Sequence, residues 1–111
     1  MKTLIKNIEF SKVINLKELI SYQESQVISR TISQTPTVSI TLFSLDKGEG
    51  ISTHVTPGDA IVQVLDGEAE ITIDNNVFTI KAGETIIMPS NVPHGLEARK
   101  RFQMLLTVIK G

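Results

Sequence analysis

The sequence predicts a single all-β domain, a sandwich or barrel with little helix. Three observations carry this reading. From residue 37 onward, short apolar runs alternate with polar residues at a period of two, the pattern of strands with one buried face. Turn residues interrupt these runs roughly every eight to ten positions, as in all-β sandwiches and barrels. The chain has 111 residues without a linker, repeat or low-complexity stretch, which is the size of one domain with one core.

The elements follow in order. Residues 1–36 are polar and mixed. Within them Val13-Ile14-Asn15-Leu16 reads as a short strand, Leu16-Lys17-Glu18-Leu19-Ile20 as a competing helical turn, and residues 26–33 as a strand closed by Thr35-Pro36. Residues 37–110 form the barrel core. Thr37-Val38-Ser39-Ile40-Thr41-Leu42 alternates and ends at Asp46-Lys47-Gly48. Ile61-Val62-Gln63-Val64-Leu65 is separated from Ala69-Glu70-Ile71-Thr72-Ile73 by Asp66-Gly67, a strong hairpin signal between apolar runs. Asp74-Asn75-Asn76 turns the chain into Val77-Phe78-Thr79-Ile80, and Lys81-Ala82-Gly83 turns it again into Thr85-Ile86-Ile87-Met88. Residues 102–109 form the last strand.

The run 60–65 is apolar on both faces: Ala60, Val62 and Val64 on one, Ile61 and Leu65 flanking Gln63 on the other. A strand of that kind needs cover on both sides. The second cover is expected from the N-terminal segment, a second subunit, or both, unless a two-layer sandwich is complete within one chain. A homodimer is the expected assembly, since cyclic dimers are the commonest oligomers.

Composition excludes several functions. Eleven Lys+Arg against 12 Asp+Glu give a net charge of −1. That is no field for a nucleic-acid backbone or an anionic membrane, and Arg99-Lys100-Arg101, the one basic run, reads as a solvated turn. There is no cysteine, so disulfides, thiolate metal sites and cysteine nucleophiles are absent. Neither a signal peptide nor a membrane helix is visible, with Lys6 and Asn7 interrupting the apolar start. A cytoplasmic protein is the expectation.

Chemistry then falls on the two histidines, His54 and His94, whose imidazoles can serve as acid, base or metal ligand. Gly48 is followed after five residues by His54, then by Thr56, Ala60 and Gly67; Gly83 is followed after five residues by Pro89, then by Asn91, His94 and Ala98. This frame resembles the cupin superfamily, whose motifs are G-(x)5-H-x-H-(x)3,4-E-(x)6-G and G-(x)5-P-x-G-(x)2-H-(x)3-N. The two motifs match without insertion over 48–98, and the stretch from Pro57 to Ile73 looks like small stand-alone bacterial cupins. The resemblance implies a double-stranded β-helix, or jelly roll, often paired as a homodimer through its N-terminal strands.

The departures matter as much. In metal-binding members, two His and a Glu of the first motif join the His of the second around one ion. Here Thr56 stands for the second His and Ala60 for the Glu, so His54 and His94 alone remain. A divalent transition metal (Zn, Ni, Mn or Fe) would be held weakly, because a working site normally has three protein ligands. Asp59 could replace the Glu only from an irregular stretch; Glu97 has the wrong parity to join His94 on one strand face, and Gln63 lies on the face opposite Ala60.

The expected function is therefore binding of a small molecule in the barrel, with His54 and His94 as polar anchors and Thr56, Ala60 and Val62 lining the pocket. Alanine at 60 enlarges and de-charges that pocket, which favours a neutral or weakly anionic organic ligand. A mostly apolar hollow with a few polar anchors is the usual form of such a site. Two alternatives stay open: a metal-dependent enzyme of dioxygenase or isomerase type with a degenerate site, and a non-catalytic sensory or interaction module. Without metal, the resemblance implies isomerase or lyase chemistry on a small carbonyl or sugar compound as the route to catalysis.

Overall fold

The computed structural model describes residues 4–111; Met1-Lys2-Thr3, part of the apolar start read above, lies outside them. A short 3₁₀ turn at Leu16–Glu18 precedes eight strands: β1 (Val27–Gln34), β2 (Val38–Leu45), β3 (Gly50–His54), β4 (Asp59–Ile73), β5 (Asn76–Lys81), β6 (Thr85–Met88), β7 (His94–Glu97) and β8 (Phe102–Ile109). All pairings are antiparallel. The first sheet runs β1-β2-β8-β4-β6 and the second β3-β7-β4-β5, so the expected all-β barrel forms, with the long strand β4 common to both layers. The helical reading of residues 16–20 holds in part; residues 13–16 form no strand.

The two layers enclose one core. Ala60, Val62 and Val64 of β4 face Met88, Met104 and Val108 within the first sheet and Ile71, Ile80 and Leu96 across the barrel. Phe102, Met104, Leu45, Val62 and Ile71 are fully buried, each removing apolar surface worth about 1.5–3 kcal/mol from water.

The hairpin expected at Asp66-Gly67 does not occur. Residues 59–73 form one strand; its first half pairs with β6 and β8, its second with β5 and β7. A register shift between Val64 and Asp66 and a φ of +73° at Gly67 bend it from one sheet to the other. Gly67 supplies the left-handed backbone that an Asp-Gly turn would use, but a bulge increases local twist and lets a strand change sheets. Tyr22 fixes the bend from outside: its hydroxyl donates to Asp66 Oδ2 at 2.6 Å, with Arg101 stacked on its ring at 4.6 Å. Burial, and then the bond to Asp66, push the Tyr22 hydroxyl well above its ordinary pKa.

The N-terminal segment covers part of the outer face of the first sheet. Ile5, Ile8, Leu16, Leu19 and Ile20 pack on Ile28, Ile32, Ile40, Leu42, Leu65 and Leu105. Three buried polar side chains of the sheet grip its backbone: Ser33 Oγ donates to Leu4 O, Ser44 Oγ to Ser21 O, and Gln103 Nε2 to Ile20 O at 2.9 Å. No helix among the described residues is long and apolar enough to cross a membrane.

Candidate functional site

His54 ends β3 and His94 begins β7, and the two residues are register partners. Ile51 pairs with Leu96 in the same ladder, but three residues separate Ile51 from His54 where two separate Leu96 from His94. In a regular strand Ile51 and His54 would point to opposite faces. The one-residue bulge between them turns His54 onto the inner side with Ile51, a common way to re-aim a functional side chain. The bulge presses on β7 from outside: a Cβ at Gly95 would stand 3.0 Å from Thr53 Oγ1 and 3.2 Å from Thr53 N. Glycine at 95 is what admits the bulge.

The two imidazoles meet edge to face, with ring centroids 4.5 Å apart at an interplanar angle of 65°. His94 is 3% exposed, whereas His54 is open to solvent. Each Nδ1 lies against the carbonyl oxygen two residues upstream, His54 on Ser52 O at 2.8 Å and His94 on Val92 O at 3.0 Å. A carbonyl only accepts, so both Nδ1 atoms carry the proton, and in the neutral rings both Nε2 atoms present lone pairs. Thr56 Oγ1 lies 3.3 Å from His94 Nε2 and donates to it. His54 Nε2 is left as the open acceptor.

The loops beneath are tied together. Asn91 N donates to Thr56 O at 2.9 Å, Gly58 N to Ser90 Oγ at 2.9 Å, and Ser90 N to Asp59 Oδ1 at 2.9 Å. Asn91, where the family motif has glycine, keeps the left-handed backbone with a φ of 62°, which asparagine tolerates. Asp59 is spent on this loop and does not approach the histidines. Glu97 pairs with Gly50 and Glu70 on the outer face, and Gln63 is on the outer face of the first sheet.

Of the residues read from sequence, the structure brings together His54, Thr56 and His94. Ala60 and Val62 lie on the inner face, packed in the core at 2% and 0% exposure. An open cleft of about 480 Å³, lined by Gly50, Thr53, Thr72, Gly95 and Glu97 among others, lies behind these strands and not over the imidazoles. Sequence reasoning missed the carbonyls of Ser52 and Val92 and the role of Gly95. The carbonyl at position i−2 of each histidine carries no side-chain signal.

The donor set does not fit a catalytic metal. Among the described residues no group of three or more His, Cys, Asp or Glu converges, and the hydroxyl nearest the pair is a weak ligand already bonded to His94. Two imidazoles fall short of the three protein ligands a catalytic site normally uses.

A bent antiparallel barrel with a histidine pair contributed by two facing strands defines a cupin-type barrel protein. The family model described as "Cupin domain" matches residues 41–110, and the chain belongs to that family. Among solved structures it is similar to a conserved protein of unknown function from Streptococcus pyogenes, at 46% identity over 99% of this chain and 96% of that one, with a TM-score of 0.96. A cupin superfamily protein from Desulfitobacterium hafniense matches at 30% identity over 98% and 100% of the two chains, TM-score 0.93. A cupin 2 conserved barrel domain protein from Leptotrichia buccalis matches at 41% identity over 87% of this chain and 47% of that chain, TM-score 0.86. No protein in the curated comparison matches.

Proposed function

We propose that this chain binds a small, neutral or weakly anionic organic molecule at the barrel mouth, anchored by His54 and His94. The observation that supports it is the pairing of two imidazoles with fixed tautomers, one buried and one open to solvent. His54 Nε2 accepts a hydrogen bond from a hydroxyl or enol of the ligand. The Thr56 hydroxyl, whose proton is donated to His94 Nε2, accepts a hydrogen bond from the ligand through its oxygen lone pairs. The absence of an acidic side chain among these three residues disfavours cations, and the apolar inner face around Ile51 and Ile73 suits an apolar body.

The chain has two histidines, so their ring signals in proton NMR are a direct reporter. A library of small hydroxy, enol and carbonyl compounds should contain members that shift both sets of ring signals together. His54→Ala and His94→Ala should each weaken such binding at least tenfold, about 1.4 kcal/mol, in folded protein. Binding unchanged in both variants would refute the anchor reading.

A further inference from the structure

We infer that the molecule at the barrel mouth carries an aromatic ring, and that Phe78 is the platform on which this ring stacks; this rests on the anchor role of His54 and His94 proposed above. Phe78 lies in β5 opposite Ile71, and Ile80, two residues on, lies opposite Ala69. Ile71, Ala69 and Ile80 belong to the core, so Phe78 belongs to the inner face of the second sheet. Yet it is 42% exposed, where Ile71 is fully buried and Ile80 is at 4%. A large apolar side chain on an inner face, left bare, marks a place the chain itself does not fill.

The topology gives the reason. β5 pairs with the second half of β4 and β6 with the first; among the described residues β5 and β6 do not pair with each other. The two layers part along this seam, and the inner residues beside it, Phe78 and Ile86, keep exposed surface. Ile73, half-buried, leads from the seam to the histidines. It pairs with His94 on one side and, on the other, with Asn76, two residues before Phe78. Phe78 is thus two strands across and two residues along from His94, roughly 12 Å between Cα atoms on a flat sheet and less on a curled one. A single ring lying over Ile73 spans that gap, with its face against Phe78 and its hydroxyl on His54 Nε2. Three π-systems, those of His54, His94 and Phe78, then surround the ligand. Offset or edge-on stacking of rings adds to what apolar burial gives, and a saturated ring gains no such addition. The class that fits is a hydroxylated aromatic compound, neutral or weakly anionic.

Phenol and cyclohexanol, alike in size, are the probes, titrated to about 30 mM into the full chain and followed by the two histidine ring signals in proton NMR. Phenol should bind the more tightly. Phe78→Leu should cut the ratio of phenol to cyclohexanol affinity at least threefold. Phe78→Tyr should keep the ratio, and so should Phe10→Leu, which changes a phenylalanine that is 73% exposed on the N-terminal segment. The ratio isolates the ring, because the stronger donor of phenol meets His54 alike in all these proteins. Independently, wild-type protein should show an Overhauser contact between phenol ring protons and the Phe78 ring, which decides the matter if Phe78→Leu fails to fold. A ratio unmoved by Phe78→Leu, a missing contact, or phenol that moves neither histidine signal would overturn the inference. His54→Ala separates the two readings. If it weakens both probes while Phe78→Leu leaves the ratio unmoved, the anchor stands and the platform falls; if it weakens neither, the anchor falls.

Discussion

At Gly67 the long strand β4 leaves one sheet for the other with a φ of +73°. A Cβ built there falls 2.0 Å from the Arg101 carbonyl oxygen and 3.0 Å from Phe102 Cα. Carbon and oxygen settle at about 3.3 Å or more, so Gly67→Ala must push β4 and β8 apart by about 1 Å at this point. The displaced atoms are backbone, with no flexible end to swing away. The shift opens the Gly67–Phe102 pairing beside Phe102, a fully buried side chain. The left-handed backbone costs about 1–2 kcal/mol for a residue with a Cβ, and overpacking a further 1–3 kcal/mol or so. Together they remove about 2–5 kcal/mol from a total stability of about 5–15 kcal/mol for such a domain. Urea unfolding followed by circular dichroism should show the midpoint falling with little change in slope. A loss below about 1 kcal/mol would refute the bend as drawn.

Thr56→Val removes the hydroxyl that bonds the buried His94 Nε2; the acceptor left behind should cost about 1 kcal/mol, the low end for a bond of 3.3 Å, and an unchanged urea midpoint would contradict that contact. At low pH, Asp46 is the group to watch. The backbone N–H of Ser25 first, then that of Lys47, and then the Arg101 charge hold its carboxyl below the ordinary 3.8. Its stabilising effect is therefore full above that value and lost as pH falls through the lower folded value. Asp46→Asn should flatten the acid limb of a stability–pH curve relative to wild type, and parallel curves would contradict the reading. Protein prepared without nickel resin, incubated with Zn, Ni, Mn or Fe and desalted, should retain below about a tenth of an equivalent by elemental analysis; a full equivalent would show that a third ligand exists.

The sequence reading and the structure part company where local signals compete with tertiary geometry. Residues 85–88 and 102–109 were legible because alternation and turn residues agree there, and both appear as read. Asp66-Gly67 misled because left-handed glycine serves a hairpin and a strand bend equally; only the partners of β4, distant in sequence, distinguish them. β3 and β7 escaped notice because Gly50, Gly95 and the bulge at Ser52-Thr53 break the alternation that marks a strand. The histidine pair was legible through motif spacing, which survives the loss of the other two ligand positions at Thr56 and Ala60. The carbonyls that orient the rings were not, since any residue at 52 or 92 offers one. The need to cover both faces of residues 60–65 was visible in their composition, and the N-terminal segment meets that need for Leu65, while Ile61 is half-buried outside that cluster.

At the centre of the proposed site two imidazoles meet edge to face, each with its Nδ1 proton directed at a backbone carbonyl. Long-range nitrogen–proton correlation spectra of uniformly ¹⁵N-labelled protein, recorded at a pH where both rings are neutral, report the protonated nitrogen of each directly. Both rings should show the Nδ1–H form, with a proton–proton Overhauser contact between them, as their 4.5 Å separation requires. An Nε2–H form at either histidine, or rings without mutual contact, would contradict the site.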